Sequence, residues 1–191
     1  MKPFDLHLLR HGPPLRTGLM LGHHDEPAAP GAHSALIDHA QGLGAAEVVS
    51  SDLSRASDGA RAIADARALP LRIDPRWREL DFGVWDGKPS AALAPCQLRD
   101  FWSDPDANPP PDGERWSDLR SRIRDAIAEL ESTAIVVSHA GAMRAAVSVL
   151  TGLDHRGVWA FNLPYGALLS IRVWRGEGSE PASGQIVGLR T

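Results

Sequence analysis

The sequence predicts an α/β sandwich with a mostly parallel sheet and an antiparallel edge, and three features carry that prediction. Short apolar runs of strand length alternate with segments whose apolar residues recur every three or four positions. Glycine, proline or a capping residue stands at the joints, as at Ser51 or Asp52, Pro70 and Gly152. The last two strand-like runs follow each other with only a loop between them, so they pair as a hairpin at the sheet margin. At 191 residues the chain fits a single domain over positions 1–191.

Taken in order, Phe4–Leu9 is a short buried strand. Gly31–Leu43 is a helix with Ala35, Leu36, Ala40 and Leu43 on one face and Gly44 at its end. Glu47–Ser50 is a second strand. Ser51 or Asp52 caps a helix running to about Leu69, with Ala56, Ala60, Ile63 and Ala64 at helical spacing, and Leu71–Asp74 is a third strand. Periodicity then fails from Pro75 to Gly113, a proline-rich excursion at about 75–113 expected to cover the substrate; within it Ser90–Trp102 holds a helix started by Pro89. Glu114–Leu130 is amphipathic, with Trp116, Leu119, Ile123, Ile127 and Leu130 in three- and four-residue steps. Strand Ala134–Val137, helix Ala140–Leu150 and strands Ala167–Trp174 and Gln185–Leu189 follow, the last two joined by the loop Gly176–Gly184.

Composition removes several function classes. Hydrophobic residues at 43% and charged residues at 23% can build a core, which argues against disorder. Twenty Lys plus Arg against 24 Asp plus Glu give a net charge of −4, so no nucleic-acid partner and no polybasic membrane surface is expected. No apolar run is long enough to span a bilayer, and Asp5 and His7 interrupt the amino-terminal run, so no export signal is expected. Cys96 is the single cysteine and can form no internal disulfide, which fits a reducing cytoplasm. His7, His23, His24, His33, His39 and His155 lack metal-ligand spacing, so no metal is expected.

Three polar clusters follow strand ends: Arg10-His11-Gly12, Ser50 to Arg55, and Ser138-His139-Ala140-Gly141. In an open α/β sheet ligands bind beyond the carboxyl ends of strands, so these residues converge on one crevice. Two of the clusters open helices, whose amino-terminal dipole ends favour an anion, phosphate above all.

Four blocks, Leu9-Arg10-His11-Gly12, Ser51-Asp52-Leu53-Ser54-Arg55-Ala56, Glu79-Leu80-Asp81-Phe82-Gly83-Val84-Trp85-Asp86-Gly87 and Val137-Ser138-His139-Ala140-Gly141, resemble the histidine phosphatase (phosphoglycerate-mutase-like) superfamily in order and spacing. The resemblance runs from Phe4 to about Val173 and implies a three-layer α/β/α sandwich and a phosphomonoester hydrolase with no cofactor. It implies His11 as the nucleophile, forming a phosphohistidine that water hydrolyses. Arg10, Arg55 and His139 would bind phosphate, the arginines also lowering the His11 pKa. Glu79 would be the general acid and then the base, among Trp77, Phe82 and Trp85, with Asp81 as its nearest rival. Pro13-Pro14 departs from the usual pattern after the nucleophile, and Ala28-Ala29 departs after the matching Gly22, Asp25 and Pro27.

The Pro110-Pro111-Asp112-Gly113-Glu114-Arg115 segment heading a helix that carries Arg122, and Val158-Trp159-Ala160-Phe161-Asn162 ahead of Tyr165-Gly166-Ala167, resemble α-ribazole phosphatases of cobalamin biosynthesis. The expected partner is then a small-molecule phosphomonoester, α-ribazole 5′-phosphate or another phosphorylated metabolite. Pro-Gly-Glu is also helix-start chemistry, and Trp159 and Phe161 also fit core positions at strand spacing. A phosphohistidine protein phosphatase and a non-catalytic phosphate-ligand binding protein are the alternatives; a metallohydrolase is a weaker one.

Overall fold

The computed structural model describes residues 2–176 and 180–191. Six strands, β1 (Phe4–Arg10), β2 (Glu47–Ser50), β3 (Leu71–Ile73), β4 (Ala134–Ser138), β5 (Leu168–Trp174) and β6 (Ser183–Arg190), form one sheet in the order β3-β2-β4-β1-β5-β6. β1, β2, β3 and β4 pair in parallel, while β5 runs antiparallel to β1 and β6 antiparallel to β5. This is the mostly parallel sheet with an antiparallel edge. The loop expected over Gly176–Gly184 is shorter, and three of its residues lie outside those described.

Side chains alternate across the pleat, so neighbouring strand residues feed opposite layers. On one face Leu9, Val48, Ile135 and Val137 pack with Leu36 and Ala40 of α1 (Ser34–Ala40) and with Ala56, Ala60 and Ile63 of α2 (Ser54–Arg67). On the other face Leu6, Leu8, Val136 and Ile171 belong to a larger core. Leu119, Ile123 and Ile127 of α4 (Trp116–Ala128) and Met143, Ala146 and Val147 of α5 (Ala140–Thr151) complete it. Each fully buried side chain of this size is worth about 1.5–3 kcal/mol, which is what holds helices as short as α1 on the sheet.

Three element boundaries differ from the sequence expectation, each for a local reason. Helix α1 starts at Ser34 because Gly31 sits at φ +75° and the chain turns there. Within the excursion Ser90–Ala92 forms only a 3₁₀ turn, and α3 (Pro95–Ser103) begins at Pro95 rather than behind Pro89. Ala94 is held extended, φ −61° and ψ 124°, as a residue before proline must be, and this separates the two turns. Neither Ser51 nor Asp52 caps α2. Asp25, from a loop 29 residues away, accepts from the Ser54 N–H at 2.7 Å and from its hydroxyl at 2.8 Å. Asp52 is instead engaged by both arms of Arg78, at 2.7 and 2.5 Å.

Replacing that distant cap measures its worth. Asp25→Ala is expected to lower stability by about 1 kcal/mol in urea unfolding, with Asp25→Asn losing less. A loss on Asp25→Ala indistinguishable from zero would place the capping energy elsewhere.

Candidate active site

Sheet register brings the candidate residues together. Arg10 pairs with Ser138 between β1 and β4, and Ser50 pairs with Val137 between β2 and β4, so three strand ends lie side by side. His11 and His139 follow the first pair directly, and their ring centroids are 4.9 Å apart. Arg55 opens α2 behind the third strand end and is completely buried. Gly12 is required beside His11, since a Cβ there would overlap the carbonyl of Ala32.

The His11 ring is fixed by one bond. Its Nδ1 lies 2.6 Å from the carbonyl oxygen of Gly12, and a carbonyl only accepts, so Nδ1 carries the hydrogen and Nε2 is left with its lone pair. Burial, reinforced by the positive charge of Arg55 and then of Arg10, pushes the His11 pKa down to about 3, against the pull of the Gly12 carbonyl. The ring is therefore neutral at ordinary pH, and burial is the largest single cause, ahead of either of the arginines that the sequence singled out. His139 is fully buried and its pKa is lowered well below the histidine range, first by burial and then by the charges of its neighbours. Its Nε2 lies 2.8 Å from the Ser51 hydroxyl, which also accepts from the Leu53 N–H. When Ser51 donates to Nε2, the ring hydrogen of His139 sits on Nδ1, a buried atom with no partner among the described residues.

The two arginines divide their donors. Arg55 donates to the carbonyls of Leu21, Gly22 and His24, strapping the loop after Met20, and its Nε has no partner among the described residues. Asp86 holds the other side of that loop, accepting from the N–H groups of Gly22, His23 and His24. Arg10 donates to the Leu163 carbonyl, stacks 4.0 Å from the centroid of the Tyr165 ring, and likewise keeps an unpartnered Nε. Both guanidiniums are thus fixed in place with donors to spare, the condition for an anion clamp. The proline pair after the nucleophile stiffens a bridged loop, Pro14 facing Ala28.

Glu79 stands opposite. Its carboxylate accepts from the Leu80 N–H at 2.9 Å and from the Gly141 N–H at the start of α5 at 3.0 Å. A Cβ on Gly141 would overlap Glu79 Oε1, so this glycine makes room for the acid. At α2 the Ser54 amide is likewise taken by Asp25, so each helix start already spends one amide on a protein carboxylate. Asp81 is directed away: it accepts from the Gly83 N–H at 2.8 Å and faces His23 Nδ1 at 3.4 Å. Arg122, expected as a substrate cue, serves the backbone instead. It pairs with both oxygens of Glu114 and donates to the carbonyls of Arg76, Arg78 and Glu79.

A cavity of about 270 Å³ extends from Arg10, Glu79 and Gly141 toward Phe82, Trp102 and Trp159. Trp159 is half-exposed on its wall rather than in the core. Of the aromatic residues expected around Glu79, Phe82 shares this cavity, whereas Trp77 and Trp85 are buried in the core. Among the described residues no group of three or more His, Cys, Asp or Glu is arranged to hold a metal ion. No helix among them is long and apolar enough to cross a membrane. Arg144, which also lines the cavity, is the contributor that lies outside the four sequence blocks.

The neutrality of His11 has a thermodynamic consequence. An unfolded histidine takes up a proton near pH 6.5 that the folded ring refuses until about pH 3, so stability present above pH 6.5 is lost progressively as pH falls through that window. Wild type is expected to lose about 2 kcal/mol more than His11→Gln between pH 7.5 and 5 in urea unfolding, and parallel losses would contradict the assignment. Gly141→Ala is expected to keep the fold but displace the Glu79 carboxylate from the Gly141 amide, and a crystal structure of the variant with that hydrogen bond intact would contradict the reading.

Residues 6–182 match the family model of the histidine phosphatase superfamily (branch 1). The probable phosphoglycerate mutase GpmB of Enterobacter sp. (strain 638) is 32% identical over 162 residues, covering 78% of this chain and 75% of that protein. A mycobacterial glucosyl-3-phosphoglycerate phosphatase structure superposes with a TM-score of 0.85 at 25% identity over 97% of both chains. The fold is also shared with an Escherichia coli K-12 structure named as a "putative alpha-ribazole-5'-P phosphatase", TM-score 0.80 and 24% identity over 97% of this chain and 96% of that one. With these strand ends, these histidines and this match over nearly its whole length, the chain belongs to the histidine phosphatase superfamily, branch 1.

Proposed function

We propose that this protein hydrolyses the phosphomonoester of a small metabolite through a phosphohistidine formed on His11 Nε2. The observation that carries the reading is the Nδ1 bond to the Gly12 carbonyl, which leaves a neutral ring with its lone pair on Nε2, in the field of the fixed Arg10 and Arg55 guanidiniums. In the first step Nε2 attacks phosphorus, the bond from phosphorus to the leaving oxygen breaks, and Glu79 gives that oxygen a proton. In the second the Glu79 carboxylate takes a proton from water as the water attacks phosphorus. The P–N bond then breaks, releasing phosphate and the neutral His11. Arg10, Arg55 and the Nδ1–H of His139 hold the charge on the transferring group, so this scheme asks for no metal ion.

The substrate proposed is α-ribazole 5′-phosphate or a similar small phosphomonoester. The helix behind Glu114 reaches the cavity through Trp116 and Leu119, and Trp159 reaches it from the other suggested segment, so the cavity beside Glu79 carries five aromatic side chains, those of Phe82, Phe101, Trp102, Trp116 and Trp159. The excursion at 75–113 would act as the cover, since it supplies Phe82, Phe101, Trp102 and Pro105 to that cavity. A reducing cytoplasm is the proposed setting, with Cys96 exposed and free.

Steady-state hydrolysis in the presence of chelator tests this, with α-ribazole 5′-phosphate, 3-phosphoglycerate, a nucleoside monophosphate and p-nitrophenyl phosphate compared. His11→Ala is expected to lose at least 1,000-fold in kcat and to retain phosphate binding. Glu79→Gln is expected to lose about 100-fold or more on the alkyl esters and far less on p-nitrophenyl phosphate, whose leaving group departs without a proton. Turnover that survives in His11→Ala would end the phosphohistidine reading, and transfer of the phosphoryl group to a second substrate in place of water would make the protein a mutase.

A further inference from the structure

Phosphoryl transfer uses one end of the cavity, where Arg10 and Glu79 stand, and assigns no task to the other. There two indoles are left open, Trp102 at 45% and Trp159 at 50% exposure. They come from α3 and from the 3₁₀ turn Gly157–Ala160, and they meet edge-on with centroids 5.2 Å apart and planes at 85°. Behind Trp102 the aromatic contacts continue inward through Phe101 to Trp85, both buried, so the cavity end of this ladder is the part withheld from the core. Large apolar surface left open inside a cavity is characteristic of a ligand wall.

The Arg144 guanidinium lies 3.9 Å from the centroid of Trp159 on the same wall. Its Nε is buried without a hydrogen-bond partner among the described residues. A buried guanidinium N–H with no acceptor is costly unless a ligand supplies one.

We infer that Trp159, Trp102 and Arg144 form the leaving-group subsite, and that it takes a planar aromatic or heteroaromatic group bearing an in-plane hydrogen-bond acceptor. The ring packs against the indoles, and the acceptor receives an N–H of Arg144. The inference rests on the phosphomonoesterase reading only for which part of the ligand lies at this end, and it names the residues that set selectivity.

The test is calorimetric binding to His11→Ala, which needs no turnover, using α-ribazole 5′-phosphate and ribose 5-phosphate, two ligands that differ by the planar base. The aromatic ligand is expected to bind at least tenfold tighter. Trp159→Ala should bring that ratio close to one, Trp159→Phe should retain most of it, and Arg144→Gln should reduce it severalfold. Equal binding of the two ligands, or equal weakening of both in Trp159→Ala, overturns the subsite. The ratio in the Trp159-intact protein decides the matter even if Trp159→Ala fails to fold. Failure of the phosphatase reading shows separately, as absent His11-dependent hydrolysis in the wild type.

Discussion

The parallel pairing of β1 with β4 is the constraint on which the rest of this molecule depends. Because Arg10 and Ser138 are partners in that register, the residues just beyond them, His11 and His139, come to lie with ring centroids 4.9 Å apart. A slip of one residue would turn every side chain of β1 to the opposite face. It would carry Leu6 and Leu8 out of the larger core and Leu9 out of the smaller one. The register is thus fixed by hydrophobic burial on both faces, and the geometry of the histidine pair is a by-product of packing rather than of any contact between the rings.

That arrangement gathers Arg10, Arg55 and two histidines in a chain whose net charge is −4. Burying cations close together is unfavourable unless each is hydrogen-bonded or neutralised. Here the two kinds of group are handled differently. The histidines stay neutral, as burial and the neighbouring charges both demand. The arginines stay charged and are satisfied in part by carbonyl oxygens, those of Leu163 and of the loop Leu21–His24. Carbonyls hold a guanidinium in place without cancelling its charge, so the field remains available to an incoming anion. Carboxylate partners would have stabilised the two arginines better and weakened their pull on an anion.

How far the sequence discloses this depends on whether a feature is local. Arg10-His11-Gly12 and Ser138-His139 sit at the ends of strands marked by their own apolar runs, so their convergence follows from the α/β rule, and the four blocks reinforced it. Glu79 was legible only through its block. What stayed hidden are pairings between distant segments: Asp25 on the start of α2, Ser51 on His139 at a separation of 88 residues, and Arg144 on Trp159. None leaves a periodic trace, and Ser51 and Asp52, adjacent to a helix, offer a plausible local cap that tertiary contacts override. The same holds for Trp159, whose spacing fits a core strand and whose exposure is decided by the turn it occupies.

Arg122 illustrates how a residue without access to the reacting atoms can still control them. From α4 its guanidinium donates to three carbonyls of the segment Arg76–Glu79 and is held in place by the Glu114 carboxylate. On the far side the Gly141 N–H at the head of α5 fixes the Glu79 carboxylate. The proposed acid is therefore suspended between two helices of the same layer, its backbone held by one and its side chain by the other. Those helices pack against each other through the larger core, so the separation between them sets where the proton donor stands relative to His11. A cavity made in that core, well away from the site, would loosen the acid before it loosened the nucleophile, because His11 is anchored at the sheet end by backbone bonds to Ser138 and Gly166 and by its ring bond to Gly12.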